Sequence, residues 1–136
     1  MNTKNQLFFI VFLFVLSLSC SSQTNKQGEI DEIKNPQKVE VFYFHYTRRC
    51  ATCVAVEKVS REAVAELYGD KVSFSDFNLD DDNGKSKGQE LKVPGQTLLI
   101  VAGDTTIDIT NEGFMNARSN PEKLKAIIKE KIDPLL

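Results

Sequence analysis

Hydrophobic residues along this chain fall into runs of distinct kinds. The first, Leu7 to Leu18, is apolar throughout except for Ser17. It follows a short polar start carrying Lys4 and leads through small residues to Cys20. That is the plan of a secretory signal. The run is shorter than the roughly 20 residues a membrane span needs. Its end at Ser19-Cys20 predicts a lipoprotein-type export signal over residues 1–20, with Cys20 as the lipidated residue. Ser17 stands three residues before Cys20, where such signals usually carry Leu. Cleavage near Ser19 or Ser22, or an uncleaved anchor, are the alternative readings. A diacyl anchor would hold firmly, since each buried methylene contributes about 0.8 kcal/mol. Residues 21–36 are rich in Ser, Gln, Asn, Lys and acidic side chains and predict a flexible tether.

From residue 37 to 136 the pattern is that of one small domain. Val39 to His45 is apolar on both faces apart from Glu40, as in a central strand. Tyr46 to Arg49 turn the chain. From Cys50 to Tyr68 the spacing becomes helical, with Val56, Val59, Ala63 and Leu67 on one face and Gly69 as the stop. Val72 to Asn78 predicts a second strand. A polar loop from Asp80 to Lys87 passes into a short helix through Leu91. Thr97 to Ala102 is a continuous apolar strand. Gly103-Asp104 turns it into a last strand, Thr105 to Thr110, where Ile107 and Ile109 alternate with polar residues. The final helix has Asn120 as N-cap and Pro121 in its first position. Leu124, Ile127, Ile128 and Ile132 form its apolar stripe, and Pro134 ends it. The order β-α-β-(α)-β-β-α is that of an α/β domain with helices on both faces of a sheet.

Charge changes this picture little. The formal net charge is −2, with 17 basic against 19 acidic residues, which gives no reason to expect nucleic acid binding. The cysteines change it more. Of three, Cys20 belongs to the export signal, leaving the pair Cys50-Ala51-Thr52-Cys53 in the domain. A single vicinal dithiol with no second pair to complete a zinc site points to thiol–disulfide exchange or to capture of a soft metal.

This dithiol at the start of the first helix, together with the element order, resembles the thioredoxin fold, a central mixed β-sheet flanked by helices. Val93-Pro94 before the strand Thr97–Val101 resembles the cis-proline segment of that fold, at a similar distance from the cysteines. The segment Tyr43-Phe44-His45-Tyr46-Thr47-Arg48-Arg49-Cys50-Ala51-Thr52-Cys53 resembles a narrower group. These are the thioredoxin-like lipoproteins identified as nitrophenyl-compound nitroreductase subunits of arsenic-resistance operons, the ArsF family. That resemblance implies partnership with an arsenical permease and a further redox subunit. The chain also departs from ordinary thioredoxins. It has no Trp, and Arg49 precedes Cys50. Phe44 aligns with the family's buried proton-shuttling Asp, and Gly95 and Gln96 separate Pro94 from Thr97. The redox direction and the substrate therefore stay open.

The expected chemistry follows. Cys50, at a helix N-terminus with Arg48 and Arg49 beside it, is the nucleophile with a lowered pKa. Cys53, one turn on, is the buried resolving thiol, and the cofactor is their redox-active disulfide. A cis bond at Pro94 would bring the Val93 backbone near Cys50 to pair with a bound peptide. Val93, Arg49 and Tyr46 are the candidate substrate contacts. Glu57 is either an acceptor for the Cys53 proton or, more simply, a helix carboxylate paired with Arg61. His45, the only histidine, could join Cys50 and Cys53 as a third soft-metal ligand or sit as an ordinary hydrogen-bonded side chain. Asp81, Asn83, Gly84 and Glu90 fit several positions of an EF-hand loop, but Leu79 stands at its first position and cannot ligate calcium.

Two functions compete. One is an exported, membrane-anchored thiol–disulfide oxidoreductase exchanging electrons with a membrane-embedded thiol protein, within a nitroaromatic or arsenical resistance system. Nitro reduction takes several electrons and usually a flavin, and the sequence carries no dinucleotide fingerprint. The dithiol would therefore feed a partner. The other is a binding protein that captures trivalent arsenic or Cu(I) on the two thiols.

Overall fold

The computed structural model describes residues 37–136. The predicted export signal with Cys20 and the predicted tether over 21–36 lie outside the described residues. Strand β1 (Val39–His45) pairs in parallel with β2 (Val72–Asn78) and antiparallel with β3 (Thr97–Ala102). Strand β3 pairs antiparallel with β4 (Thr105–Asp108), giving a four-stranded mixed sheet in the order β2-β1-β3-β4. Helices α1 (Ala51–Tyr68), α2 (Asp82–Glu90), α3 (Thr110–Asn116) and α4 (Pro121–Ile132) complete the domain. This is the thioredoxin-like α/β arrangement, and β1, β2 and β3 have the limits the hydrophobic pattern predicts.

The two apolar faces of β1 organise two cores. Val39, Val41 and Tyr43 point to one side, where they meet Val56 and Ala63 of α1 and Leu124 and Ile128 of α4. Phe42 and Phe44 point to the other, against Leu99, Phe77, Leu79, Leu91 and Val93. Phe44 stacks on Phe77 with ring centroids 5.5 Å apart, in line with their pairing across β1 and β2. Aromatic pairs of this kind contribute about 0.5–1.5 kcal/mol beyond the area they bury.

The structure departs from the pattern at several points. Leu67, expected on the buried face of α1, is exposed, while Ser60 and Val64 face inward. The buried stripe runs through Val56, Ser60 and Val64, and in the last turn Tyr68 rather than Leu67 packs against the core. Ile127 of α4 is only half-buried. Helix α2 starts at Asp82, inside the stretch expected to be loop. That places Asn83, Gly84 and Glu90 on a helix and leaves no calcium-loop geometry there. Helix α3 is new. The Ile107/Ile109 alternation reads as one continuous strand, but β4 stops at Asp108. The Asp108 carboxylate accepts from the Thr110 N–H at 2.8 Å, and the Thr110 hydroxyl accepts from the Leu98 N–H at 2.9 Å. These bonds turn the chain off the sheet, and a helix follows. The other helix ends match expectation. The Asn120 side chain caps α4 by accepting from the Lys123 N–H at 3.1 Å. Gly69, at φ 54°, ends α1 with its N–H on the Ala65 carbonyl.

Helix α2 presses so closely on the end of β2 that a Cβ on Gly84 would lie 1.9 Å from the Asn78 carbonyl oxygen. Helix propensity alone makes Gly→Ala stabilising by about 1 kcal/mol. The clash is with backbone and cannot be relieved by a rotamer change, so it should dominate. We expect Gly84→Ala to lower stability by about 1–3 kcal/mol in urea unfolding; a raised midpoint would show that α2 does not pack this way.

Candidate functional site

Strand β1 carries the chain up to His45, the loop 46–49 reverses it, and α1 begins under the thiol of Cys50. Cys50 is the N-cap residue of α1, in extended backbone (φ −80°, ψ 166°), so its side chain faces the unpaired N–H groups of the first turn. The Cys53 N–H donates to Cys50 Sγ at 3.3 Å. No acidic residue occupies the first turn of α1. The Cys50 thiol is exposed, and its pKa is lowered, first by the hydrogen bond from the Cys53 thiol and then by the backbone N–H of Cys53. The arginines contribute less than the sequence suggests. Arg49 is turned back into an ion pair with Glu57, so its charge is largely spent there.

Cys53 is the opposite kind of thiol. It is 3% exposed, and its pKa is raised, first by burial and then by its hydrogen bond to Cys50. Both thiols are free in the structure. The Tyr43 hydroxyl donates to the Cys53 carbonyl at 3.1 Å. The position on β1 that faces the dithiol is thus Tyr43; Phe44 points into the other core. Burial beside the two thiols pushes the Tyr43 phenol well above its usual range, so it stays protonated and serves as a donor. The Cys53 thiol itself points to the Gln96 side-chain oxygen at 3.6 Å. Sequence reasoning noted Gln96 only as an insertion after Pro94. Its place immediately before the first residue of β3, the strand that pairs with β1, was the available signal.

His45 does not join the cysteines. It is 6% exposed, with Nδ1 3.0 Å from the Tyr46 carbonyl and Nε2 3.4 Å from the Asp76 carboxylate. Its metal-competent neighbours are Glu57 and Asp76, all three within 4.8 Å of one another. The expected Cys50–Cys53–His45 ligand set is therefore not assembled, because the strand end aims the imidazole toward β2. The alternative trio is a poor cation site as well. Arg61 donates to Glu57 at 3.0 Å and to Asp76 at 2.7 Å, and Arg49 also binds Glu57. Guanidinium groups already occupy both Glu57 oxygens and one Asp76 oxygen, and the positive charge there opposes a metal ion. Glu57 is accordingly an ion-pair residue, tied to two arginines rather than poised as a base for Cys53.

A cleft of about 400 Å³ opens along the other flank of the loop, lined by Tyr46, Leu79, Lys85, Lys92, Val93 and Pro94. It brings together three of the expected site residues, Tyr46, Val93 and Pro94, and not Arg49. The Val93–Pro94 bond is trans, since the described residues contain no cis peptide bond. Gly95 and Gln96 give the chain length to enter β3 without a reversed bond. The Val93 N–H is committed to the Gly88 carbonyl at 2.9 Å, which removes the donor expected for an added peptide strand.

No protein-family model matches this chain, and no curated protein does. Solved structures do. A structure described as that of a malarial protein aligns at a TM-score of 0.50 and 20% identity, covering 69% of this chain and 97% of its own. A thioredoxin from Thermus thermophilus aligns at a TM-score of 0.29 and 12% identity, covering 70% and 78%. At such identity the likeness to the malarial protein bears on fold alone. The cysteine pair at the head of α1 is consistent with redox chemistry.

The two thiols should separate on titration. Alkylation with iodoacetamide is expected to modify Cys50 first, with a midpoint below that of a free thiol at about pH 8.5. In Cys50→Ser the remaining Cys53 should react slowly and only at higher pH. Equal rates for the two cysteines would contradict the N-cap geometry.

Proposed function

We propose that this protein is a thiol–disulfide oxidoreductase in which Cys50 attacks and Cys53 resolves. One observation carries the reading. An exposed thiol with a lowered pKa caps a helix directly beside a buried thiol with a raised one. Attack needs a thiolate at the surface, and resolution needs a second sulfur held back until the first has reacted.

The Cys50 thiolate attacks one sulfur of a substrate disulfide and forms a mixed disulfide, and the other substrate sulfur leaves and takes a proton from water. Cys53, deprotonated in turn, attacks Cys50 Sγ. The Cys50–substrate bond breaks, the Cys50–Cys53 bond forms, and the second substrate sulfur is protonated. Two electrons pass to the substrate, and the reverse sequence oxidises it. Tyr46, Val93 and Pro94 line the cleft in which the substrate chain would lie. Lys85 and Lys92 on its wall favour a substrate segment with acidic side chains.

The wider setting belongs to the same proposal. The export pattern ending at Cys20 supports a protein tethered by lipid to a membrane on the periplasmic side. There a dithiol that stays reduced draws electrons from a membrane-embedded thiol protein. The likeness of residues 43–53 to arsenic-resistance lipoproteins supports a role beside an arsenical permease and a further redox subunit. In that setting the dithiol supplies electrons to a partner that performs nitro chemistry. Capture of trivalent arsenic or Cu(I) remains the competing reading, reduced to the two thiols because His45 faces away.

Equilibrating the purified full-length protein in glutathione buffers tests the proposal. A reversible two-electron couple should appear, near about −270 mV for a reductant or about −120 mV for an oxidant. Cys53→Ser should accumulate mixed disulfides, and Cys50→Ser should form none. A protein that forms no reversible disulfide, yet binds arsenite stoichiometrically, would make the dithiol a binding site instead.

A further inference from the structure

We propose that Gln96 is a further catalytic residue of the dithiol, holding the Cys53 sulfur through both protonation states of the resolving step. The proposal rests on the thiol-exchange reading above and concerns how the buried thiol is made to react.

Cys53 is almost wholly removed from water, and each group around it has a definite role. From β1, Tyr43 spends its hydroxyl on the Cys53 carbonyl. Its raised pKa keeps it a phenol, so it takes no proton. From the start of α1, Cys50 accepts the Cys53 N–H. Farther along α1, Glu57 is held by Arg49 and Arg61. Phe44, the neighbouring residue on β1, carries no titratable group and lies in the opposite core. Among the described residues the hydrogen-bond partner of the Cys53 thiol, apart from Cys50, is Gln96, with Oε1 3.6 Å from Sγ. The Gln96 backbone is fixed from both sides. Thr97 begins β3 opposite Phe44, and its hydroxyl donates to the Gly95 carbonyl at 2.9 Å.

A carboxamide suits this place because it carries an acceptor and a donor on one rotatable plane. In the mixed disulfide, where Cys50 is no longer a thiolate competing for it, Oε1 accepts the Cys53 S–H. When the proton leaves to water, the amide turns and presents an N–H to the thiolate. Gln96 exchanges no proton and no electrons. The thiolate then attacks Cys50 Sγ, the Cys50–substrate bond breaks, and the departing sulfur is protonated by water. A residue that solvates the buried thiolate lowers the barrier to that attack without a nearby base.

The test uses the full-length protein with two substitutions. Gln96→Met keeps the length and removes both hydrogen-bonding ends. Gln96→Glu keeps the shape but sets a carboxylate against the thiolate. In a Cys50→Ser background, both should move the alkylation midpoint of Cys53 upward, by about one pH unit for the loss of a single hydrogen bond to a charged sulfur. With Cys50 present, release of a chromogenic thiol from the preformed mixed disulfide should slow about tenfold at pH 7 in Gln96→Met, while the initial attack by Cys50 keeps its rate. A Cys53 midpoint unmoved in both variants, with normal disulfide cycling, would overturn the role of Gln96 alone. If Gln96→Met fails to fold, the midpoint in Gln96→Glu decides. Wild-type protein that never forms a Cys50–Cys53 disulfide would overturn the exchange reading and this proposal with it.

Discussion

The burial of β1 on both faces is the constraint from which the rest of the domain follows. A strand with apolar side chains on alternate sides and no polar face must be paired on both edges and covered above and below. Strands β2 and β3 supply the pairing. The long helix α1 with α3 and α4 covers one face, and α2 with the segment that follows it covers the other. Because β1 runs parallel to β2, the connection between them must cross over the sheet, and α1 is that crossover. The dithiol sits where β1 hands over to this helix, so a strand paired on both edges sets the position of the thiols.

The site rests on an asymmetry between two cysteines one helical turn apart. The N-cap position leaves Cys50 in water among unpaired N–H groups, which favours a negative sulfur. One turn later the chain is under the sheet, and burial disfavours the same charge on Cys53. Hydrogen bonding ties the two together, since the bond that favours the Cys50 thiolate is donated by Cys53. Hydrogen bonding, burial and the charge of Cys50 on Cys53 give the thiols their character, ahead of any arginine or carboxylate. The arginines and carboxylates near the site neutralise one another in the network of Arg49, Glu57, Arg61 and Asp76, which joins α1 to β2. That network also engages His45 and leaves the dithiol to hydrogen-bonding neutral groups, Tyr43 and Gln96.

The first three strands, the long helix and the last helix were legible from residue order, because each has a sustained period and a recognisable end. Gly69 and Asn120 mark helix limits by local chemistry that needs no tertiary partner. Elements whose limits depend on distant partners were not legible. Helix α3 starts because Thr110 captures an N–H of Leu98 on the neighbouring strand. Leu67 is exposed because Tyr68, one residue on, takes the packed position in the last turn of α1 and bonds Asp133.

The same division runs through the site. The residue types alone determined that a dithiol opens a helix, that Cys50 is its outer thiol and that Cys53 is its inner one. The reason is local: helix geometry buries a residue one turn in and leaves the cap exposed. Only the tertiary structure decided which groups surround the dithiol and which turn away from it. It brought Tyr43 rather than Phe44 to the dithiol, turned His45 to Asp76, held Glu57 between two arginines and set Gln96 against Cys53. Those choices depend on which face of β1 each side chain takes and on where β3 enters the sheet. Contacts between segments far apart in sequence fix both, and no local pattern of residues records them.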